Sequence, residues 1–279
     1  MKKVLTLLLA AVPVAAFAQT TYDEGLSFGA RATVEADAKL SPGLHLTAHE
    51  EVRYYTGDND FLRSYTGIGL EVKVLPFLKL GAEYELINRY KYDEELKANA
   101  WTRRHRGNFF LTGTWKTPYW QFGLKETLRL THRPDDMNTF QAPRNALALK
   151  SKVSVKYRGW EPVVPYAAFE LRNTLNDAAY SGTYHASATE SKDIYTSEAF
   201  LGYTHAYVNR LRLQLGVSVK FDKRHELDFY LLGDRYKDKK IDTNREGSTS
   251  WENNGLVLKS IDWYTGYMLS AGVGYKWSF

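Results

Sequence analysis

From Leu26 to Leu40 the chain alternates without a break. Leu26, Phe28, Ala30, Ala32, Val34, Ala36, Ala38 and Leu40 fall on one parity, and Ser27, Gly29, Arg31, Thr33, Glu35, Asp37 and Lys39 on the other. Successive side chains of a strand point to opposite faces, so this pattern is one long strand with an apolar and a polar face. A strand of a soluble sandwich is usually about 5–6 residues, whereas a tilted strand crossing a bilayer needs about 9–11. Similar alternation predicts strands at 44–56, 62–74, 78–90, 102–116, 119–132, 145–158, 163–174, 195–207, 210–222, 226–236 and 257–279. The expected fold class is all-β: a single transmembrane antiparallel β-barrel of about 12 strands (10–12).

Proline placement agrees, because proline cannot donate to a central ladder. Pro42, Pro76 and Pro118 fall in tight turns, Pro134 and Pro143 in a loop, and Pro162 at a strand start. Pro165 alone lies inside an expected strand, where it suggests a bulge or a late start. Short connections (41–43, 75–77, 116–118, 158–161) alternate with long polar ones near 91–101, 133–144, 175–193 and 237–256. Short turns on one rim and long loops on the other describe an outer-membrane barrel. Phe77, Trp115, Tyr119, Trp120, Tyr157 and Trp160 gather beside the short turns and read as a periplasmic interfacial belt. Strand parity stays open. A turn at Val208-Asn209-Arg210 gives twelve strands, the preferred count because bacterial single-chain barrels are normally even. One long strand over 194–222 gives eleven and sends the N-terminus to the rim opposite Phe279.

The first residues are a basic pair, Lys2-Lys3, an apolar stretch from Val4 to Val12, and Ala16-Phe17-Ala18. This is the layout of a secretory signal, expected to be cleaved before Gln19, leaving 1–18 as signal peptide and 19–279 as the barrel domain. Its apolar stretch is too short to span roughly 30 Å of hydrocarbon. The absence of Cys excludes a disulfide scaffold, a thiol enzyme, a Cys-ligated metal and a lipoprotein anchor. Removing Lys2 and Lys3 lowers the net charge from +5 to +3, too little to argue for nucleic acid.

The chain ends Tyr275-Lys276-Trp277-Ser278-Phe279. Tyr275, Trp277 and Phe279 resemble the C-terminal signal by which outer-membrane barrels are recognised for insertion. Together with Arg103-Arg104-His105-Arg106, Thr131-His132-Arg133-Pro134 and Pro165-Tyr166-Ala167-Ala168-Phe169-Glu170-Leu171, the layout resembles a family of secreted bacterial proteins described only as a domain of unknown function. More distantly it is similar to oligogalacturonate-type small porins. The resemblance implies a barrel in the bacterial outer membrane, with membrane lipids, lipopolysaccharide and the barrel assembly machinery as partners. It brings no catalytic residue and no cofactor.

With the apolar parity facing lipid, the lumen receives Arg31, Arg53, Arg63, Arg104, Arg106, Arg129, Lys150, Lys152, Lys156, Arg158, Arg172, Arg212 and Lys220 among its bases. Glu35, Asp37, Glu51, Glu83, Glu85, Glu170, Asp222 and Asp228 are among its acids. Two functions stay open. Basic rows in a narrow pore would favour small acidic solutes, with Arg53, Arg129 and Arg172 as constriction candidates. Alternatively the bases pair with Glu51, Glu170, Glu83 and Glu85 and close the lumen, leaving a structural or surface-binding barrel. Glu50 and Glu126 disobey the parity, and a local bulge turning each inward is expected.

A third class, a rim-sited lipid enzyme, rests on weak patterns. His185-Ala186-Ser187 with Glu190 or Glu198 loosely resembles the His-x-Ser of lipid A deacylases, and His132 with Asp135 and Asp136 an Asp/His surface protease. His45 and His49 share a strand face but stand roughly 13 Å apart, too far to chelate one metal unaided. Asp58-Asn59-Asp60 lacks a full calcium loop. No Gly-rich phosphate loop and no Gly-x-Ser-x-Gly elbow occur. The chain is therefore expected to be no enzyme and to carry no metal.

Overall fold

The computed structural model describes residues 21–56, 61–93, 98–134, 137–180, 185–186, 193–194, 200–243 and 258–279. The expected signal segment lies outside them. Eleven strands close into one barrel: β1 Thr21–Ser41, β2 Leu44–Thr56, β3 Phe61–Leu75, β4 Leu78–Asp93, β5 Ala98–Lys116, β6 Trp120–His132, β7 Asn145–Tyr157, β8 Val163–Asp177, β9 His205–Lys220, β10 His225–Thr243 and β11 Leu258–Ser278. Each strand pairs antiparallel with its chain neighbour, and the ring is closed by a parallel pairing of β1 with β11, from Leu26 opposite Tyr267 to Asp37 opposite Ser278. An odd count of alternating strands has to close this way.

The preferred twelve strands are corrected at Val208-Asn209-Arg210. No turn forms there; β9 runs through, and its register against β8 shifts between Val208 and Arg210. Asn209 is buried in this bulge, its Oδ1 accepting a hydrogen bond from Arg172 Nε at 2.7 Å. One extra residue breaks alternation in a sequence as a turn does, which is why the two are confused. Phe279 accordingly lies on the short-turn rim, tied to β1 by Phe279 N to Asp37 O at 3.0 Å and Lys39 N to Phe279 O at 2.9 Å. Thr21 stands at the other rim, opposite Trp263.

β8 itself starts at Val163, two residues before Pro165, and only its pairing on one side starts late; Pro165 marks no bulge. Pairing with β7 begins one residue later, at Tyr166 opposite Lys156, while the register with β9 runs unbroken through Pro165 and Val217. Following successive partners from Lys39 around the barrel returns to β1 beside Leu26, a stagger of about 13 residues that tilts the strands by roughly 40°.

The outer face is an exposed apolar band that includes Leu70, Leu80, Phe109, Leu124, Leu213 and Leu231. Aromatic side chains border it on both sides. Phe77, Trp115, Tyr119, Trp120, Trp160, Phe221, Trp277 and Phe279 are exposed along the short-turn rim, and Tyr22, Tyr54, Trp101 and Tyr267 toward the other. On β5, Trp101 and Trp115 are separated by roughly 35 Å along the barrel axis, given about 3.3 Å per residue and that tilt. This is the dimension of an apolar band plus its two interfaces.

Glu50 and Glu126 are not turned inward. Neither position carries a register shift. Both stay on the outer parity, where Thr66 Oγ1 donates to Glu50 and Ser151 Oγ donates to Glu126 at 2.6 Å. A hydroxyl directly opposite on the next strand satisfies each carboxylate without a bulge. Arg158, Lys220 and Asp222 are also corrected: they sit at the short turns, outside the lumen. Arg158 Nε donates to Glu161 at 3.2 Å, Lys220 Nζ lies 3.7 Å from the same carboxylate, and Asp222 Oδ1 caps the turn by accepting from Arg224 N at 2.6 Å and His225 N at 2.8 Å. The long-loop rim has a small apolar cluster of its own, with Ala178 and Ile241 buried beneath Tyr180, Phe200 and Ile261.

Candidate functional site

Strand alternation decides which side chains enter the lumen, and register decides which of them meet. On β9, Arg212 gives Asp234 of β10 two hydrogen bonds, Nε to Oδ1 at 2.6 Å and Nη2 to Oδ2 at 2.8 Å. The other face of this guanidinium lies 3.9 Å from Glu170 of β8, which takes Lys150 of β7 at 3.0 Å. In the opposite direction Asp234 meets Arg31 of β1 at 3.5 Å, and Arg31 lies 3.9 Å from Glu51 of β2. Glu51 in turn holds Arg53 through Nε at 2.8 Å.

The Arg53 guanidinium stacks 4.0 Å from the Tyr65 ring of β3, and Arg106 of β5 approaches the same ring at 5.6 Å. Arg106 pairs with Glu85 of β4 at 3.1 Å. Asn108 then donates to Glu85 at 3.0 Å and to Glu83 at 2.9 Å, while its Oδ1 accepts from Arg129 Nε of β6 at 3.0 Å. The chain of contacts thus runs from β7 through β8, β9, β10, β1, β2, β3, β5 and β4 to β6. Bidentate and charge-assisted bonds of this kind fix geometry as well as energy.

β11 contributes no charge to this girdle. On the same parity it carries Ser270, Gly272 and Gly274, and Arg31 reaches over it to Asp234. The space is needed: a Cβ on Gly272 would fall 2.1 Å from the Tyr230 ring. Seven bases (Arg31, Arg53, Arg106, Arg129, Lys150, Arg210, Arg212) face five acids (Glu51, Glu83, Glu85, Glu170, Asp234). The paired side chains are shielded from water to different degrees, from 0% exposed for Asp234 and 2% for Arg31 to 17% for Glu51, 18% for Arg53 and 20% for Lys150. Opposite charges and hydrogen bonds, more than water, therefore satisfy these groups at this level.

All three expected constriction residues reach this region, and none is bare. Glu51 holds Arg53, Asn108 holds Arg129 and Asn209 holds Arg172. Arg63 and Arg104 lie on the luminal parity closer to the long-loop rim, Arg63 opposite Arg53 and Arg104 opposite Ile87. Asp234 was missed by the sequence reading, although it follows Asp228 at even spacing on β10. The strand expected over 226–236 already includes it on the luminal parity.

Below the girdle, toward the short turns, the lumen opens into a cavity of about 300 Å³. One wall is a chain of polar bonds: Lys152 Nζ to Gln214 at 3.1 Å, Gln214 Nε2 to Tyr166 Oη at 2.8 Å, Tyr166 Oη to Asp228 at 2.7 Å, with Ser218 Oγ on the same carboxylate at 3.1 Å. On the next two strands around the barrel, Lys276 of β11 bridges two acids of β1, Glu35 at 2.6 Å and Asp37 at 3.1 Å. Trp277 and Phe279, the expected insertion signal, are exposed at this end with rings 4.6 Å apart, and Tyr275 stacks on His225.

The two histidines of β2 take separate partners: His45 meets Asp37 at 2.9 Å, and His49 meets Glu85 at 3.6 Å. His49, Glu83 and Glu85 together bring metal-type donor atoms within 4.8 Å of one another. This grouping was invisible in sequence because His49 reaches across β3, where Gly67 leaves no side chain in its path; a Cβ there would lie 2.1 Å from the imidazole. Asn108 and Arg106 already donate to these carboxylates, so the group reads as part of the girdle. Among the enzyme candidates, His132 binds Asn145 Oδ1 at 2.8 Å. Asp135, Asp136, the side chain of His185, Ser187, Glu190, Glu198 and the triplet Asp58-Asn59-Asp60 lie outside the described residues.

No protein-family model and no curated protein matches the chain.

Proposed function

We propose that the chain is an outer-membrane β-barrel, exported by its N-terminal signal, whose lumen is closed to through-flow by the charged girdle. One observation carries the reading: ion pairs, completed by the Tyr65 ring and the Asn108 amide, link side chains of ten of the eleven strands across the lumen, and the paired side chains are at most 20% exposed. The apolar band between two aromatic borders supports the membrane location, since a contiguous exposed apolar surface of this extent is unfavourable in water. The barrel then serves as a rigid membrane anchor for its long-loop rim, with a blind polar cavity on the short-turn side. A narrow anion path is the second reading, favoured by the excess of bases over acids in the girdle.

Cell fractionation and liposome swelling test the proposal together. The protein is expected in the outer-membrane fraction, and liposomes carrying the refolded barrel are expected to swell no faster in arabinose than empty ones. Swelling at the rate given by a general porin would refute closure, and recovery of the protein in the soluble periplasmic fraction would refute the location.

A further inference from the structure

We infer that the outer face of β8 to β11 carries a binding site for an anionic, phosphate-bearing lipid, its acyl part in a groove over Gly233 and its headgroup at Arg235. The inference rests on the membrane reading above. The groove encloses about 540 Å³ and is almost wholly apolar, with Phe169, Leu213 and Leu269 among its walls. These side chains are exposed, so the groove faces outward.

Its floor comes from one residue. Along the outer parity of β10 the apolar row Leu227, Phe229, Leu231 ends at Gly233, whose missing side chain leaves a trough between Leu213 on β9 and Leu269 on β11, its partners in register. A Cβ at Gly233 would meet only Leu269 Cδ2, at 3.8 Å. No steric constraint therefore demands glycine here, in contrast to Gly272 on the inner face.

The next outward residue toward the long-loop rim is Arg235, which is exposed. Its cross-strand partners are Leu211 and Tyr267, neither acidic. A guanidinium matches a phosphate geometrically, and on a lipid face it is tolerated best at the interface, where a headgroup lies. Tyr267 on the adjacent strand is one of the aromatic residues bordering the apolar band. An acyl chain lying in the trough would bring a phosphate to Arg235 from the leaflet at the long-loop rim.

The test is native mass spectrometry of the full barrel released from micelles doped with palmitoyl-oleoyl phosphatidylglycerol or with phosphatidylcholine of the same chains. Wild type is expected to retain phosphatidylglycerol several-fold better. Gly233→Leu, whose Cβ makes only an ordinary contact with Leu269, is expected to fill the trough and lose most retention of either lipid, and Arg235→Gln to lose the preference while keeping the apolar hold. If Gly233→Leu fails to refold, Leu269→Phe fills the trough from its wall. Equal retention of both lipids by wild type, or unchanged retention in a filled trough, overturns the site. Flotation of the same samples with vesicles separates the two claims: a barrel that floats but shows no selective retention refutes only the groove, and one that fails to float refutes the membrane reading itself.

Discussion

The two halves of the lumen are made by the same eleven strands and the same alternation, yet one is filled and the other hollow. In the girdle, long bases and acids from nine strands and the Tyr65 ring of a tenth converge, and each base finds an opposite charge, an amide or a ring. In the half toward the short turns, β11 presents Gly274, β9 presents Gly216, and the polar side chains bond along the wall without crossing it. Side-chain length on the inner parity, more than strand number, therefore decides where a barrel of this width is open.

The comparison breaks most sharply at Asp234, which serves three guanidinia at once: Arg212 at 2.6 Å, Arg31 at 3.5 Å and Arg210 at 3.9 Å. Asp234→Ala leaves buried cations uncompensated and is expected to cost about 3–5 kcal/mol in urea unfolding from liposomes. A loss below 1 kcal/mol would mean that the girdle is loosely held. Next in size, Gly272→Ala drives a methyl into the Tyr230 ring and is expected to cost about 1–3 kcal/mol by the same assay, because small-to-large changes in a packed site force side chains aside. Gly233→Ala, on the outer face, is the control with little or no loss.

In the hollow half, Tyr166→Phe removes the hydroxyl that links Gln214 to Asp228. About 1 kcal/mol is expected, the usual net value of one such bond, and the variant should remain as silent to ions as wild type. Current through this variant would place the barrier in the wrong half. The smallest effect is at the short-turn rim. Hydrogen bonding from Arg158, helped by the charge of Lys220, holds the exposed Glu161 carboxyl below its ordinary range. Its depressed value means that the contact is intact above the ordinary glutamate range and is lost only as pH falls through the lowered one. An NMR titration of Glu161 that followed an unshifted glutamate would show the contact absent in solution.

Much of this was legible in the sequence, because an apolar outer face and a charged inner one impose opposite chemistries on alternate residues over long strands. Leu26 to Leu40 declares its two faces, and Pro42, Pro76 and Pro118 declare the turns. Three things were hidden. Asn209 looked like part of a turn because a bulge and a turn interrupt alternation alike. Glu50 and Glu126 looked misplaced because their hydroxyl partners, Thr66 and Ser151, come from the neighbouring strand. The girdle itself depends on register around a closed ring, as where Arg31 passes over the glycines of β11 to meet Asp234, and no single strand records which residues share a level.

Single-channel recording of the refolded barrel in a planar bilayer, under a salt gradient, addresses the closed lumen most directly. A girdle closed as described gives no steady current from wild type, and openings with an anion-biased reversal potential from the double variant Arg31→Ala, Asp234→Ala. Steady anion-biased current from wild type would contradict closure and restore the basic rows as the lining of a conducting path.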